Sequence, residues 1–499
     1  MEHYKPIRSL FASLLLFGCA PDTQDDLRTT QAVQLRADAD SELSGLNLTL
    51  DQCSDPAENL LGRVTVSPRA QLYINLPDVL NNERALNSSV GRWSFAYAMR
   101  EILELPDPGN DPDMLAAEQQ AVDSFVSMST AGREINTSKA KLRARTAEAL
   151  ISAWGKTFDS TGAGWRTFRD APFKLVAIVN RLDIAKKDNK FSAGEGRFVY
   201  GFTGPGQMTV ILEYDLAIGD ASPDRAMKGP VDWANKWQGL KAFLVDTDAK
   251  RPGTQPDQRV NGQPQFLDKE GYLAALESIT EMWAGRSAKV RVGNGMVGLR
   301  AAAISQIRTN EFMNGEIWAL REIVRSWDSS GRAILQQVTV KNNPDPMVWK
   351  RNPVLARWIK TNTRCPSADL RSCAYQTSNG KLPEAVVGPG GQKLPLLGAE
   401  SLADLTNWFP NATNQADRTI KFFELQTCSG CHSNETNSSF THVSPFNGEP
   451  SRFTLAEIPF RMLNFKNLVC LGAASRSSLD LVSDDFLEGR RINMSNATH

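Results

Sequence analysis

Histidine is nearly missing from this chain. Among 499 residues there are four, His3, His432, His442 and His499. With His3 near the start and His499 at the last position, His432 and His442 are the two internal imidazoles. There is no H-E-x-x-H helix of a metalloprotease, no G-x-S-x-G nucleophile turn and no glycine-rich phosphate loop. Net charge is missing too. The 56 basic side chains balance 56 acidic ones, so composition gives no support to nucleic-acid binding. Long hydrophobic runs are also absent. The apolar stretch Ser9 to Gly18 has ten residues, where a bilayer span needs about 20. Cysteine is sparse, at seven. What remains is a globular composition, 41% hydrophobic, long enough for roughly two or three domains.

Two of the cysteines and one internal histidine stand together, in Cys428-Ser429-Gly430-Cys431-His432. This is the C-x-x-C-H spacing of a c-type haem attachment site. On one helical turn, thiols at i and i+3 and an imidazole at i+4 project to the same side. Two thiols can then bond the two vinyl groups of one haem c, and His432 falls under the iron as proximal ligand. The run from Ala416 to Thr427 is helix-compatible and delivers the motif at its C-terminal end. A zinc site would want two further ligands at short spacing, and there is no second C-x-x-C and no H-x-x-x-H. A redox dithiol would follow a strand in a βαβ unit, and the flanks do not read that way.

Covalent haem attachment takes place outside the cytoplasmic membrane, so the N-terminus bears on it. Residues 1–18 have the parts of an export signal, with Lys5 and Arg8 ahead of the apolar core. Leu16-Phe17-Gly18-Cys19 resembles the lipobox of bacterial lipoproteins, which makes Cys19 the lipidated residue. The alternative is an ordinary secretory signal that contains a cysteine. Ala20, rather than Asp, follows Cys19, which implies an outer-membrane lipoprotein facing the periplasm or the surface. Several acyl chains on Cys19 would anchor it stably, where one chain is marginal. Residues 19–45 are polar and acidic and read as a disordered tether. Cys53, Cys365, Cys373 and Cys470 remain, an even number for an oxidising compartment. Of the three pairings open to them, we favour Cys365–Cys373 with Cys53–Cys470. Free, buried Cys53 and Cys470 are the alternative.

Residues 46–375 read as an α+β domain with antiparallel strands and packed helices. Short strands are expected at 63–67 and 71–76. Helices follow at 93–103 and 112–126, and a long one near 137–157 with Thr137-Ser138 as its cap. Three apolar, β-branched runs at 173–183, 195–202 and 208–216 suggest an antiparallel meander. Helices resume at 231–240 and 272–283. A hairpin is expected from 318–324 and 333–340, and a helix with proline at its first position from 352–363. Residues 376–400, rich in Gly and Pro, read as a linker to a small, mainly α haem domain at 401–499.

Several stretches, in this order, carry a resemblance. They are Gly91-Arg-Trp-Ser-Phe95, Ala177-Ile-Val-Asn-Arg-Leu-Asp183, Ala193-Gly-Glu-Gly-Arg-Phe-Val-Tyr200, Val210-Ile-Leu-Glu-Tyr214, Trp233-Ala-Asn-Lys-Trp237, Gln306-Ile-Arg-Thr-Asn-Glu311 and Trp318-Ala-Leu-Arg-Glu322. After them come the C-x-x-C-H motif and Thr441-His-Val-Ser-Pro445. Together they resemble a family of uncharacterised, cytochrome c-like lipoproteins of myxobacteria and their relatives. The resemblance covers roughly residues 90–446, and the tail beyond is shorter and different. It implies the architecture and the haem, and no particular reaction.

The sixth ligand of the iron separates the functions. His442 is the first choice, because internal histidine is otherwise so scarce and the resembled motif carries it. Met462, amid Phe and Leu, is the second, with plain core packing as its alternative. Met494 lies in a polar tail, and an open iron is the remaining option. Arg181, Asp183, Glu195 and Arg197 are expected to face each other across two strands, as a ligand site or, in the plainer reading, a structural ion-pair ladder. Arg308 with Glu311 and Arg321 with Glu322 read the same way. The expectation for the whole is an exported, lipid-anchored monohaem c-type cytochrome that passes electrons to an unidentified redox partner. A binding or redox/gas-sensor lipoprotein and a haem oxidoreductase subunit are the alternatives.

Overall fold

The computed structural model describes residues 68–184, 192–218, 227–245, 264–285, 304–312, 318–366, 373–377, 382–402, 418–428 and 441–477, with short pieces between 288 and 298. The expected signal, the tether, Cys19, Cys53, Cys431, His432, Met494 and the strand at 63–67 lie outside the described residues.

An 8-stranded antiparallel sheet organises the chain. Its strands are β1 (Tyr73–Ile74), β2 (Phe173–Arg181), β3 (Ser192–Phe202), β4 (Gln207–Ala217), β5 (Ile304–Phe312), β6 (Ala319–Trp327), β7 (Ala333–Val338) and β8 (Ser401–Leu402). They run side by side in chain order from β1 to β7, and β8 pairs with the start of β6. The meander of β2, β3 and β4 and the hairpin of β6 and β7 stand as the sequence suggested. The strand between them, β5, was not anticipated. Its sequence Ile-Ser-Gln-Ile-Arg-Thr-Asn-Glu-Phe has few apolar residues, because half its positions meet a buried polar layer.

Strand alternation sorts the side chains to two faces. On one face Phe198, Tyr200, Met208, Val210, Leu212, Tyr214, Ile307 and Ile323 form the main core. Helices α1 (Phe95–Leu103), α2 (Pro112–Thr130), α3 (Ala144–Ala153), α4 (Pro230–Gly239) and α5 (Lys269–Ala284) contribute to it. Local signals start these helices. Ser94 Oγ accepts from the Tyr97 amide at the head of α1, and Asp111 accepts from Asp113 and Met114 at the head of α2. Phe95 anchors the core through ring contacts with Phe125, Phe173 and Tyr200 at 5.8, 4.8 and 5.2 Å. Each such pair adds about 0.5–1.5 kcal/mol beyond its buried area.

Three local expectations differ from the structure. Pro68–Leu72 makes a helical turn, so only Tyr73–Ile74 of the expected strand at 71–76 pairs. The long helix near 137–157 is a hairpin followed by a shorter helix. Arg133–Ile135 pairs with Ser138–Ala140, and Asn136 and Thr137 turn between them with φ of 51° and 71°. Positive φ at both turn residues is the type I′ geometry that matches strand twist. Leu142 is therefore exposed, and the helix begins at Ala144. The segment 376–400 is woven into the fold. Ala385–Val387 pairs with Lys393–Pro395, and Leu382, Val386, Leu396 and Ala399 are buried. Gly388 and Gly391 close the turn of this hairpin, Gly391 with φ of 79°.

A second, smaller core joins α6 (Pro353–Asn362) to α7 (Arg418–Gln426) through Trp349, Leu355, Ile359, Tyr375, Phe422 and Phe423. Cys365 and Cys373 are disulfide-bonded and pack against it. The last described helix, α8 (Arg452–Ser477), lies against α4 and adds Phe465 and Val469 to the main core. Cys470, also in α8, is disulfide-bonded, and its expected partner Cys53 lies outside the described residues.

Candidate functional site on the polar face of the sheet

The second face of the sheet is buried and charged. Arg181 forks onto Asp183, with Nε–Oδ1 and Nη2–Oδ2 both at 2.9 Å. Arg197 holds Glu195 at 2.6 Å and Glu213 at 3.4 Å. Arg308 reaches Glu213 at 3.8 Å and Glu322 at 3.5 Å, and Lys341 closes the row on Glu322 at 3.2 Å. Arg461, from α8, approaches Asp183 at 4.0 Å and pairs with Glu457. Buried charges persist only when paired, and here each guanidinium meets at least one carboxylate.

A bulge in β3 makes this row possible. The register shifts between Ser192 and Glu195, with Gly194 at φ 118°. A Cβ at Gly194 would lie 2.4 Å from the Arg181 carbonyl oxygen. The extra residue inverts the alternation, so Ala193 packs in the apolar core while Glu195 joins the charged row. Glu195 then stands opposite both Arg181 and Asp215.

Burial, and then the neighbouring Glu195, raise the Asp215 carboxyl to about 7, with Ser192 and Lys341 opposing. Burial also raises Glu195, against the pull of Arg197. Burial works on Glu213 in the same sense, but Arg197 and Arg308 outweigh it and hold this carboxyl below its usual range. For Asp183, too, burial is overcome, chiefly by Arg181.

The four residues grouped from the sequence are thus brought together. The other two groupings are rearranged. Glu311 pairs with Arg143 at 2.9 Å and Arg321 with Glu400 at 3.3 Å, while Arg308 joins the charged row. Adjacent or odd-spaced residues of a strand point to opposite faces, so Arg308 cannot meet Glu311, nor Arg321 meet Glu322. Glu213, Asp215 and Lys341 escaped the sequence reading. For Glu213 and Asp215 the signal was a carboxylate at alternate positions of the strand Met208 to Leu216, and Lys341, beyond the end of β7, had none.

Over this face lies a cavity of about 60 Å³. Arg181, Arg197, Arg308, Arg461, Glu213, Asn310 and half-buried His442 line it, with Leu320 and Tyr73 among the apolar parts of its wall. Cys428 approaches the same face from the end of α7. Its side chain is buried against Trp318, Leu320 and Val340, and its thiol points at the Lys341 carbonyl at 3.8 Å. Burial pushes this thiol up to about 11, with Arg308 opposing and Glu322 and Glu213 reinforcing the rise. Leu320 shares this buried cluster with Cys428 and also borders the cavity that His442 lines. Met462 lies elsewhere, packed against the main apolar core. Among the described residues no three His, Cys, Asp or Glu side chains gather as a metal-binding group, and no helix is long and apolar enough to cross a membrane.

No family model, curated protein or solved structure matches this chain.

Proposed function

We propose that this protein is an exported, lipid-anchored, monohaem c-type cytochrome that carries electrons to a redox partner of the cell envelope. The observation that carries the reading is that Cys428 and His442 stand over the same face of the sheet, Leu320 belonging both to the buried cluster of the one and to the cavity lining of the other. The donor chemistry suits haem c: a thiol on an apolar patch of Trp318, Leu320 and Val340, an imidazole nearby, and guanidiniums around it. The 60 Å³ cavity itself has room for water and not for a macrocycle.

In this reading Cys428 and Cys431 would hold the haem, with His432 as the proximal imidazole, and the haem would supply one-electron exchange. His442 is the distal ligand. Its place on the polar face, against the core position of Met462, favours it. Trp318 and Val340 exclude water on the side of Cys428, and Arg308 compensates negative charge next to the thiol. Residues 401–499 carry the haem motif while packing into the main fold, Cys19 anchors the chain in the outer membrane, and the zero net charge gives no support to nucleic-acid binding.

The test is a pyridine haemochrome spectrum of the full-length exported protein. A c-type band is expected, lost in Cys428→Ser. His442→Ala should perturb the low-spin spectrum and raise the potential, since bis-histidine ligation lies below histidine–methionine. Absence of a c-type band from the native protein would end the reading. A low-spin iron that refuses carbon monoxide separates the electron carrier from a gas sensor or an oxidoreductase.

A further inference from the structure

We propose that a second cavity, built around Asp345, binds a primary ammonium group carried on a short apolar stem. This cavity shares no residue with the one on the charged face of the sheet, and the proposal does not depend on the haem reading.

The cavity measures about 220 Å³ and lies where three segments meet, the hairpin turn at 136–138, residues 345–352 and residues 394–397. The first is the turn with positive φ at Asn136 and Thr137. The second opens with Asp345, whose Oδ1 accepts from the Met347 amide at 2.9 Å and so caps the short helix Pro346–Trp349. The third runs beside it. The Asp345 amide donates to the Leu396 carbonyl at 2.8 Å, and Pro344 bridges Leu397. Gly398 lets these segments close up, since a Cβ there would lie 3.1 Å from the Asp345 Cα. Ser138 Oγ accepts from the Ala399 amide at 2.9 Å, which ties the hairpin turn to the same segment.

Asp345 differs from the other acids of the interior. Only 7% of it is exposed, yet among the described residues no lysine, arginine or histidine pairs with it. Glu213, Glu311, Glu322 and Glu400 are buried as deeply, and each meets an arginine. A buried charge without a counter-charge is costly, so a cation is the complement this carboxylate lacks. Donors in the wall are already engaged. Trp349 Nε1 donates to the Pro395 carbonyl at 2.9 Å, and Asn352 Nδ2 to the Val348 carbonyl at 3.2 Å. The Asp345 carboxylate and the buried Ser138 hydroxyl keep accepting capacity. An ammonium brings three donors and a positive charge to such a floor, whereas an anion would be repelled from it. Leu394, Pro395 and Leu397 make the rest of the wall apolar, which suits a hydrocarbon stem. The volume exceeds the roughly 150 Å³ of a cavity that takes up benzene, so a stem of about four to six carbons fits. Asn136, Thr137 and Val348 are exposed and form a rim that opens to solvent. A free alkylamine and the side chain of a peptide lysine share this chemistry.

Titration calorimetry of the full-length protein with n-pentylamine and with 1-pentanol tests this, because the two share a stem and differ in charge. The amine should bind about tenfold more tightly or better, as a hydrogen-bonded charge pair requires. Asp345→Asn keeps the shape and the cap, since asparagine caps a helix as well as aspartate does. Its urea midpoint should stay native while its affinity for the amine falls to that for the alcohol. Val348→Trp, a substitution at the exposed rim, should block the amine with Asp345 intact. Nα-acetyl-lysine methylamide separates the two sources. Binding as tight as that of pentylamine assigns the site to a peptide lysine, and clearly weaker binding assigns it to a free amine. Equal affinity for amine and alcohol, native amine binding by Asp345→Asn or by Val348→Trp, or no binding of the amine at millimolar concentration would each overturn the proposal.

Discussion

Arg308 stands between Glu213 and Glu322 with 3% of its surface exposed, and both carboxylates are at 0%. Removing it takes one of two cationic partners from each of two buried carboxylates, with Arg197 staying on Glu213 and Lys341 on Glu322, so Arg308→Met should cost about 3 kcal/mol in chemical denaturation, the low end for a broken buried pair. A loss below about 1 kcal/mol would mean that water reaches the row and screens it. Asp215 sets a pH dependence. Its carboxyl is raised in the fold from 3.8 to about 7, so the folded state keeps a proton that the unfolded state has released. Stability is therefore fully present below about pH 4 and declines as pH rises toward 7. A single proton is involved, so the slope should stay under about 1.4 kcal/mol per pH unit. Urea midpoints between pH 4 and 7.5 should show this decline flattened in Asp215→Asn, and an unchanged slope would assign it to other groups. At this scale the group Arg181, Asp183, Glu195 and Arg197 was legible, because strand periodicity places alternate residues together. The partners of Glu311 and Arg321 were not, since Arg143 and Glu400 come from distant segments.

Among the elements, the hairpin at 133–140 departs furthest from its sequence expectation. Thr137 at φ 71° carries a branched Cβ in a region that favours glycine. Thr137→Gly should relieve this strain and stabilise the protein by about 1 kcal/mol, read as a higher urea midpoint. A loss of stability would show that the threonine side chain makes a compensating contact. Ala-rich, helix-prone residues from 139 onward suggested a helix, and the type I′ turn left no local mark such as Asn-Gly. β5 was hidden for another reason. Sequence patterns identify strands by the face that meets an apolar core, and here both faces of the sheet are buried while one is charged. The capped helices were easier to read. Asn352 before Pro353 and Asp111 before Pro112 signal their starts within a few residues.

Across the whole molecule, the expected division at 376–400 meets a continuous fold. Ser401–Leu402 extends the sheet on β6, and Phe465 and Val469 complete the core beneath it. Scanning calorimetry of the full chain should therefore give a single cooperative transition. Two separate transitions would restore an independent C-terminal domain. The C-terminal segment does more than add mass. The segment from 441 to 451 and α8 cover the charged face, which would otherwise lie open to water along Arg181, Arg197 and Arg308.

The sequence alone determined what depends on short spacing. It set out the C-x-x-C-H motif, the near-absence of other histidines, the meander of β2 to β4, the capped helices and the α+β class. Those features rest on local periodicity and on covalent distance along the chain. Only the tertiary structure decided that Cys428 and His442 address one face of one sheet, that this face is a buried row of paired charges, and that Tyr73 reaches across 375 positions to the Gly448 carbonyl. Such contacts arise where strands distant in the chain pair and stack. Their register is set by the burial of the whole core, which no local window of residues contains.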